Sequence, residues 1–256
     1  MISSAPQIAA RVLVILPTYN EAENIVALCE QILALPMMAD VMVVDDSSPD
    51  GTADLVRGVA QRFPNRVRLE VRPAKSGRGS AVVRGFAVAR SERYDFCVEM
   101  DVDFSHDPAD LPRLLAAMPH ADLVVGSRNI PGGGVIGWPW RRKLIHWLAS
   151  CYARVLLGRT TSDQTNGFRM YRVSNLADFP TEWIAAAGYV GQTLRAFVYR
   201  RRGLRVVDVP TIFHERRGGK SKMSWQEALR GAWAIARYRM VICADVPKCR
   251  RTDVSQ

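Results

Sequence analysis

The sequence is poor in cysteine. Its five cysteines are Cys29, Cys97, Cys151, Cys243 and Cys249, and they include no Cys-x-x-Cys pair. An odd number of scattered cysteines argues against a disulfide framework and against a structural zinc site. This usage favours a protein of the reducing cytoplasm.

Acidic residues are also in the minority. The 35 Lys and Arg residues against 25 Asp and Glu residues give a formal net charge of +10. Such a surplus suggests an anionic partner, namely nucleic acid, acidic lipid headgroups or a phosphorylated ligand. Charge alone fits equally well a basic protein that has no such partner. No recognised nucleic-acid-binding motif is present, which argues against nucleic acid.

Segments that direct a chain into or across a membrane are missing. The amino terminus, MISSAPQIAAR, has no basic region followed by a long apolar core, so we predict no signal peptide. No run of about 18 apolar residues occurs, so we predict no transmembrane helix. The chain also has no repeat, no low-complexity tract and no long linker. We therefore expect residues 1–256 to form a single domain.

Short apolar runs alternate with helical segments along most of the chain. The predicted strands are Val12–Leu16, Val41–Val44, Val67–Val71, Tyr94–Met100, Leu123–Val125, Met170–Arg172 and Val206–Phe213. The predicted helices are Ala22–Leu35 with Asn20 as its N-cap, Ala53–Arg62, a helix ending near Arg90, Ala109–Met118, Leu144–Leu157, Gly188–Arg200 and Trp225–Ile242. This alternation predicts an α/β fold with a mostly parallel central sheet and helices on both faces.

The most informative stretch is Glu99–Pro108, at the end of the fourth predicted strand. Because side chains alternate along a strand, we expect Asp101 and Asp103 to point to the same face. Two neighbouring carboxylates repel unless a cation or protons lie between them. The pair therefore predicts a divalent-metal site that holds a phosphorylated substrate. Acidic pairs also cap helices or pair with arginine, and the pair alone leaves that alternative open.

Polar residues follow two further strands. Asn20 and Glu21 follow the first, and Asp45 and Asp46 end the second. The carboxyl ends of strands are where α/β proteins usually bind ligands, and these groups suit a nucleobase and a ribose. The glycine-rich phosphate-binding fingerprint is missing after the first strand, so a metal would have to neutralise the phosphates.

Six motifs in a fixed order resemble glycosyltransferase family 2, in particular its dolichol-phosphate (polyprenol-phosphate) mannosyltransferase branch. The resemblance spans about Val12 to Met240. The motifs are Pro17–Glu21, Val44–Thr52, Met100–Pro108, Gly126–Arg128, Asp163–Arg169 and Phe213–Ser224. It implies a Rossmann-like GT-A fold, a nucleotide-sugar donor, and Mg²⁺ or Mn²⁺. Residues 12–128 would form the nucleotide-sugar and metal half, and residues 129–242 the acceptor and membrane-facing half.

The resemblance also implies a role for individual residues. Pro17, Tyr19 and Glu21 would line the base and ribose pocket, with Asp46 near the base. Asp101 would face the ribose and the metal, Asp103 would bind the metal, and Ser105 would add a metal contact. The phosphates of donor and acceptor would be held by Arg128, Arg169, Arg216, Ser221 and Lys222.

Two departures from the family pattern stand out. Relatives usually carry Ala where this chain has Val102, a change that leaves both acids in place. Relatives also usually carry Glu at the position of Leu194, and this departure bears on the acceptor side.

An ionised lipid phosphate needs no base to remove a proton, whereas a hydroxyl acceptor would need a positioned carboxylate. The Glu-Asp pair of hydroxyl-directed relatives is absent. Gln192–Ala196 only partly matches the Gln-x-x-Arg-Trp of processive synthases, because Ala196 replaces Trp. Both observations favour a single transfer onto a phosphate.

Two segments mix tryptophan with basic residues. Trp138, Trp140 and Trp147 lie near Arg141, Arg142 and Lys143, and Trp225, Trp233 and Tyr238 share the last helix with Arg230, Arg237 and Arg239. Such mixtures suit helices that lie in the headgroup region of a membrane, although any single Trp could instead belong to the core. We predict a peripheral protein of the cytoplasmic membrane face, held by an interfacial helix or a membrane partner.

The resemblance, together with the missing base, implies a metal-dependent inverting transfer of mannose from GDP-mannose to polyprenyl or dolichyl phosphate. One alternative keeps the fold and transfers glucose or an amino sugar from a UDP-sugar. Another is a weakly active subunit that binds lipid or a partner.

Overall fold

The computed structural model describes residues 10–177, 190–215 and 225–246. Its strands are β1 Val12–Thr18, β2 Ala39–Asp45, β3 Val67–Val71, β4 Phe96–Glu99, β5 Leu123–Ser127, β6 Gly134–Val135, β7 Arg169–Arg172, β8 Val206–Pro210 and β9 Ile212–Phe213. Its α-helices are α1 Ile25–Leu33, α2 Thr52–Arg62, α3 Arg78–Ser91, α4 Leu111–Ala117, α5 Trp140–Leu157, α6 Gly191–Arg201 and α7 Trp225–Asp245.

Seven of the described strands form one sheet in the order β3-β2-β1-β4-β7-β5-β8. All neighbouring pairs are parallel except those made by β7, which runs antiparallel to both β4 and β5. The short strands β6 and β9 pair with each other outside this sheet. The predicted mostly parallel sheet is confirmed, with one reversed strand that the sequence did not reveal.

Apolar side chains cover both faces of the sheet. Alternate residues of β1 illustrate the division: Leu13 and Ile15 belong to one buried cluster, and Val12 and Val14 belong to the other. The first cluster includes residues of α3, α5, α6 and α7, and the second includes residues of α1, α2 and α4. Helices on both faces are therefore confirmed.

Several predicted boundaries change in the structure. Helix α1 has Asn24 as its N-cap, not Asn20, whose φ of 57° lies in the left-handed region. The strand predicted to run to Met100 ends at Glu99, and Val206–Phe213 divides into β8 and β9. The predicted helix Ala109–Met118 is a 3₁₀ turn over Pro108–Asp110 followed by α4.

Candidate active site

The carboxyl ends of β1, β2 and β4 meet at one edge of the sheet, because these strands are neighbours and parallel. A non-glycine residue with positive φ follows each strand: Asn20 at 57°, Ser47 at 52° and Phe104 at 56°. Such conformations cost about 1–3 kcal/mol each and are concentrated at functional sites. The positive-φ residues and the polar motifs therefore lie at the same edge of the sheet, after the carboxyl ends of β1, β2 and β4.

Asp101 and Asp103 lie in an irregular turn after β4, not on the strand, so strand alternation does not place them. The Asp101 side chain is 37% exposed, whereas Asp103 as a residue is only 8% exposed. Asp103 Oδ1 accepts a hydrogen bond from the Ser105 backbone N–H at 3.1 Å. Phe104, between Asp103 and Ser105, has a φ of 56°.

The donor set of this turn fits Mg²⁺ or Mn²⁺. Both are hard cations that prefer oxygen ligands. The Ser105 hydroxyl is buried and has no hydrogen-bond partner among the described residues, as expected of a group that awaits a ligand. The described part of the chain contains no cluster of three or more His, Cys, Asp or Glu side chains suited to a metal. Mg²⁺ is commonly held by one or two carboxylates together with substrate phosphates, so two acids suffice.

Arg78, which the sequence analysis did not single out, lies directly beside the acidic turn. Its Nε donates to Asp101 Oδ1 at 3.0 Å, and its Nη1 donates to Glu99 Oε2 at 3.0 Å. Burial lowers the pKa of Arg78, but the charges of Asp101 and Glu99 outweigh burial and raise it above the usual value. The charged guanidinium therefore supplies a counter-ion to the turn. The nearest sequence signal was the pair of glycines on either side of it, Gly77 and Gly79.

His106 is buried at the far end of the same turn. Its Nδ1 accepts from the Asp101 backbone N–H at 3.2 Å, and its Nε2 lies 2.8 Å from Asn166 Oδ1. Burial lowers the pKa of His106, although the charge of Asp101 opposes the effect. His106 is thus neutral near pH 7 and holds the backbone of the turn.

The residues predicted to receive the base and ribose form one rim of the site. Pro17, Tyr19 and Glu21 are each half-buried at the end of β1. The Lys75 ammonium lies 4.2 Å from the centre of the Tyr19 ring, and the Glu21 backbone N–H donates to the Thr52 hydroxyl at 3.0 Å. This rim is thus in contact with the first residue of α2 and with the segment after β3.

Asp46 is buried and engaged on both carboxylate oxygens. Arg72 Nε donates to Oδ1 at 2.6 Å, and the Gly77 backbone N–H donates to Oδ2 at 3.0 Å. Asp45 is fully buried and accepts from the hydroxyls of Thr18 and Ser48 at 2.7 and 2.6 Å. Arg72 also donates to Ser80 Oγ at 2.6 Å and to the Gly77 carbonyl at 3.0 Å, so it fixes Asp46 at this strand end.

Arg128 follows β5 and is held by the loop that precedes β7. Its Nε donates to Asp163 Oδ2 at 2.6 Å, and its Nη2 donates to Asp163 Oδ1 at 2.7 Å. The guanidinium carbon also lies 5.4 Å from the Trp138 ring centre and 5.2 Å from that of Phe213. Arg128 is therefore a rigidly placed cation within an aromatic wall.

Arg169 does not lie where a phosphate could reach it directly. It is fully buried, and it donates to the backbone carbonyls of Asn166 at 2.8 Å, Gln164 at 3.0 Å and Gln192. This burial does not fit the predicted direct phosphate contact, because the guanidinium is used to tie the loop before β7 to α6. The other predicted phosphate ligands, Arg216, Ser221 and Lys222, lie outside the described residues.

A buried ionic network supports Arg78 from below. Glu99 is fully buried and accepts from Arg195 Nη2 at 2.5 Å, from the Tyr171 hydroxyl at 2.5 Å and from Arg78. Burial raises the pKa of Glu99, but the charges of Arg195 and Arg78 outweigh burial and lower it. Leu194, where relatives carry Glu, is fully buried in the apolar cluster beside this network.

Comparison with known proteins agrees with the motifs. The family described as Glycosyl transferase family 2 matches residues 13–179. The chain belongs to glycosyltransferase family 2. It is 44% identical over 214 residues to the undecaprenyl-phosphate mannosyltransferase of Micrococcus luteus, covering 84% of this chain and 88% of that one. It is 40% identical over 229 residues to the polyprenol monophosphomannose synthase of Mycolicibacterium smegmatis, covering 89% and 86%.

Solved structures confirm the GT-A type of fold. Glucosyl-3-phosphoglycerate synthase of Mycobacterium tuberculosis, solved with Mn²⁺, UDP and glucosyl-3-phosphoglycerate, matches with a TM-score of 0.58 at 18% identity, over 93% of this chain and 81% of that one. The mannosyltransferase PcManGT of Pyrobaculum calidifontis, solved with GDP-Man and Mn²⁺, matches with a TM-score of 0.54 at 19% identity, over 95% and 78%. At such low sequence identity, the similarity to these two structures shows the fold alone.

Proposed function

We propose that this enzyme transfers mannose from GDP-mannose to a polyprenyl phosphate, with inversion at the anomeric carbon and with Mg²⁺ or Mn²⁺ bound. The observation that carries the proposal is the similarity, over more than four-fifths of the chain, to an undecaprenyl-phosphate mannosyltransferase and a polyprenol monophosphomannose synthase. The acidic turn beside β4 and the cations around it support the reaction type.

The donor would bind across the ends of β1, β2 and β4. Pro17, Tyr19, Glu21 and Asp46 would receive the nucleoside, as their position at the rim suggests. Asp101, Asp103 and the Ser105 hydroxyl would hold the metal, which when bound would neutralise charge on the departing diphosphate.

The site suits an acceptor that arrives already ionised. Both nitrogens of His106 are engaged, one with the Asp101 backbone and one with Asn166. Burial and the charge of Arg128 lower the pKa of His146 to about 4, which makes that side chain a weak base at neutral pH. Neither histidine is therefore suited to deprotonating a hydroxyl acceptor, whereas a lipid phosphate needs no such step.

The acceptor phosphate instead needs positive charge close to the donor phosphates. Arg128, although paired with Asp163, would contribute a fixed guanidinium at this position, and Arg216, Ser221 and Lys222 would complete the acceptor site. We assign Arg169 to holding the loop before β7.

An exposed apolar face formed by α5 and α7, here termed the α5/α7 face, suits attachment to a membrane. Its exposed large side chains are Trp140, Leu144, Ile145, Trp147, Leu148, Tyr152 and Val155 of α5, and Leu229, Trp233 and Met240 of α7. Basic residues accompany them, since Arg141, Lys143, Arg154, Arg230, Arg237 and Arg239 are also exposed. Aromatic, aliphatic and basic groups on one face match an interfacial helix pair that binds anionic lipid.

Of the tryptophans described, one packs in the core and three are exposed on the α5/α7 face. Trp138 is 8% exposed and packs against Phe213, whereas Trp140, Trp147 and Trp233 are at least 60% exposed. Tyr238 is half-buried against the core, and the side chain of Trp225 lies outside the described set. Within the described residues, none of the helices combines the length and apolarity needed to cross a bilayer.

The transfer is tested with purified full-length protein, Mn²⁺, radiolabelled GDP-mannose and a polyprenyl phosphate in detergent. We expect a mannosyl lipid in the organic extract and none from the Asp103→Asn variant. Asp54→Asn serves as the matched control, because the Asp54 side chain is 81% exposed on α2 and is paired with Arg57. Thermal shifts with GDP and with UDP, each with Mn²⁺, identify the base. A folded protein that makes no lipid product, or that transfers only from a UDP-sugar, would contradict the proposal.

A further inference from the structure

The acidic turn and Arg128 are joined through one side chain, Asn166. This amide is 1% exposed and bridges two parts of the backbone that are far apart in sequence. Its Nδ2 donates to the Gly126 carbonyl at 2.5 Å, and its Oδ1 lies 2.8 Å from His106 Nε2. Gly126 lies two residues before Arg128, and His106 holds the Asp101 backbone.

The donor and the acceptor of each hydrogen bond in this series follow from the Gly126 carbonyl. Because the Gly126 carbonyl can only accept, Asn166 must turn its NH₂ group toward it and its oxygen toward His106. His106 then donates from Nε2, which leaves Nδ1 as an acceptor for the Asp101 N–H at 3.2 Å. We term the connection Gly126–Asn166–His106–Asp101 the amide relay.

The loop that carries Asn166 is fixed on both sides of the site. Its Asp163 forms the bidentate pair with Arg128, and Asp163 Oδ1 also accepts from the Asn166 N–H at 3.2 Å. At its other end, the Gly167 carbonyl accepts from Arg78 Nη2 at 3.4 Å, and the same guanidinium binds Asp101. The His106 ring is further confined by stacking on Phe168, with ring centres 5.0 Å apart.

We propose that Asn166 is a positioning residue that sets the placement of the Asp101–Ser105 turn relative to Arg128. The inference rests on the proposed function, in which the turn holds the metal and donor diphosphate while Arg128 faces the acceptor phosphate. A side chain that supports a metal ligand through a hydrogen bond typically changes metal affinity or activity by about 10–100-fold when it is removed. Asn166 acts on the ligand one step further away, through the His106 ring.

The test uses Asn166→Leu and His106→Asn. Asn166→Leu removes, at similar volume, both relay hydrogen bonds and the weaker one that Asn166 Oδ1 accepts from the Phe168 N–H at 3.4 Å. His106→Asn keeps an acceptor for the Asp101 N–H but cannot reach Asn166. Asn166→Ala is measured beside them, so that a folding failure of the leucine variant does not stop the test. Asn175→Ala is the control, because Asn175 donates to Asp122 at 2.9 Å elsewhere in the fold. The readouts are Mn²⁺-dependent nucleotide affinity by calorimetry, kcat and acceptor KM, and urea unfolding.

We expect Mn²⁺-dependent nucleotide affinity to fall by about tenfold or more in each relay variant. The Asn166→Leu/His106→Asn double variant should lose no more than either single variant, because both cut one connection. The control Asn175→Ala should keep its nucleotide affinity and kcat, and at most its unfolding free energy should fall. Unchanged Mn²⁺ affinity and kcat in Asn166→Leu and Asn166→Ala, or additive losses in the double variant, would overturn the inference alone. Wild-type protein without Mn²⁺-dependent nucleotide binding would overturn the proposed function and this inference together.

Discussion

Arg128 and Asp163 form a bidentate ion pair whose side chains are only 5% and 0% exposed. The pair joins the residue after β5 to the loop before β7, and the Asp163 carboxylate also accepts from the Arg128 backbone N–H at 3.0 Å. Burial raises the pKa of Asp163, but the hydrogen bonds and charge of Arg128 outweigh burial and lower it to about 2. The pair is therefore a stability element as well as the anchor of a predicted phosphate ligand.

The lowered pKa predicts acid sensitivity that Asp163→Asn removes. An Asp with a pKa near 2 when folded and near 3.9 when unfolded adds about 2–3 kcal/mol of stability above pH 4. That contribution is lost as the pH falls through the folded pKa, and about half is gone by pH 3. We expect the difference in unfolding free energy between wild type and Asp163→Asn to decrease by about 1 kcal/mol from pH 7 to pH 3, as measured by urea unfolding.

The control for this measurement is Asp54→Asn, which removes an exposed carboxylate paired with Arg57. Exposed pairs contribute little, so this variant should follow the wild-type profile within about 0.5 kcal/mol at every pH. A gap between wild type and Asp163→Asn that is constant with pH would contradict the prediction.

The Glu99 network predicts strong coupling between Glu99 and Arg195. Glu99→Leu leaves Arg195 buried without its carboxylate partner and should cost about 3–5 kcal/mol of unfolding free energy. The double variant Glu99→Leu/Arg195→Leu removes both charges and should cost less than the sum of the single variants. Urea denaturation of all four proteins measures the difference, and strictly additive losses would argue that the network is not energetically coupled.

Gly85 provides a test of how α3 packs on the sheet. A Cβ at this position would lie 2.5–2.6 Å from three carbon atoms of the Ile15 side chain on β1. Gly85→Ala should therefore destabilise the fold by about 1–3 kcal/mol through overpacking. Gly58 on α2 is exposed and would meet nothing within 4 Å, so Gly58→Ala should be neutral or stabilising by up to about 1 kcal/mol. Thermal melts should show a lower melting temperature for Gly85→Ala and an unchanged or higher one for Gly58→Ala, and equal shifts would contradict the packing argument.

The sequence predicted the order of strands and helices well because each signal is local. The strand Val67–Val71 has the predicted bounds, and the neighbouring ends of β1, β2 and β4 follow from parallel connections. It did not predict that β7 is antiparallel, since β7 inserts between β4 and β5, two consecutive strands that both lie far from it in sequence.

The difference between local signals and contacts between distant segments also applies to the site residues. Asp101, Asp103 and Ser105 belong to one motif and lie in one turn after β4, although the sequence analysis placed the two acids by alternation along the strand. The roles of Arg78 and Asn166 depend on partners from other segments, which spacing in the chain does not reveal. Arg169 belongs to a motif but is fully buried. The motif alone does not distinguish an arginine that contacts a ligand from one that holds a buried loop.

The α5/α7 face predicts binding to anionic membranes that depends on its exposed apolar side chains. Trp147 and Val155 of α5 are 60% and 83% exposed, so changing them to Glu should leave the fold intact. The variant Trp147→Glu/Val155→Glu places two negative charges where the face would meet acidic headgroups. We expect it to lose cosedimentation with phosphatidylglycerol vesicles, while turnover of a short, water-soluble prenyl phosphate stays near the wild-type level.

The matched control is Leu55→Glu, since Leu55 is 42% exposed on α2, outside the α5/α7 face. Leu55→Glu adds one negative charge at an exposed apolar position, as each of the two changes on the α5/α7 face does, so it should leave vesicle binding unchanged. Wild-type binding should weaken with phosphatidylcholine vesicles and at high salt, because basic residues near an anionic surface contribute about 1 kcal/mol each and are screened by ions. If the Trp147→Glu/Val155→Glu variant binds anionic vesicles as well as Leu55→Glu does, the α5/α7 face is not the membrane-binding surface.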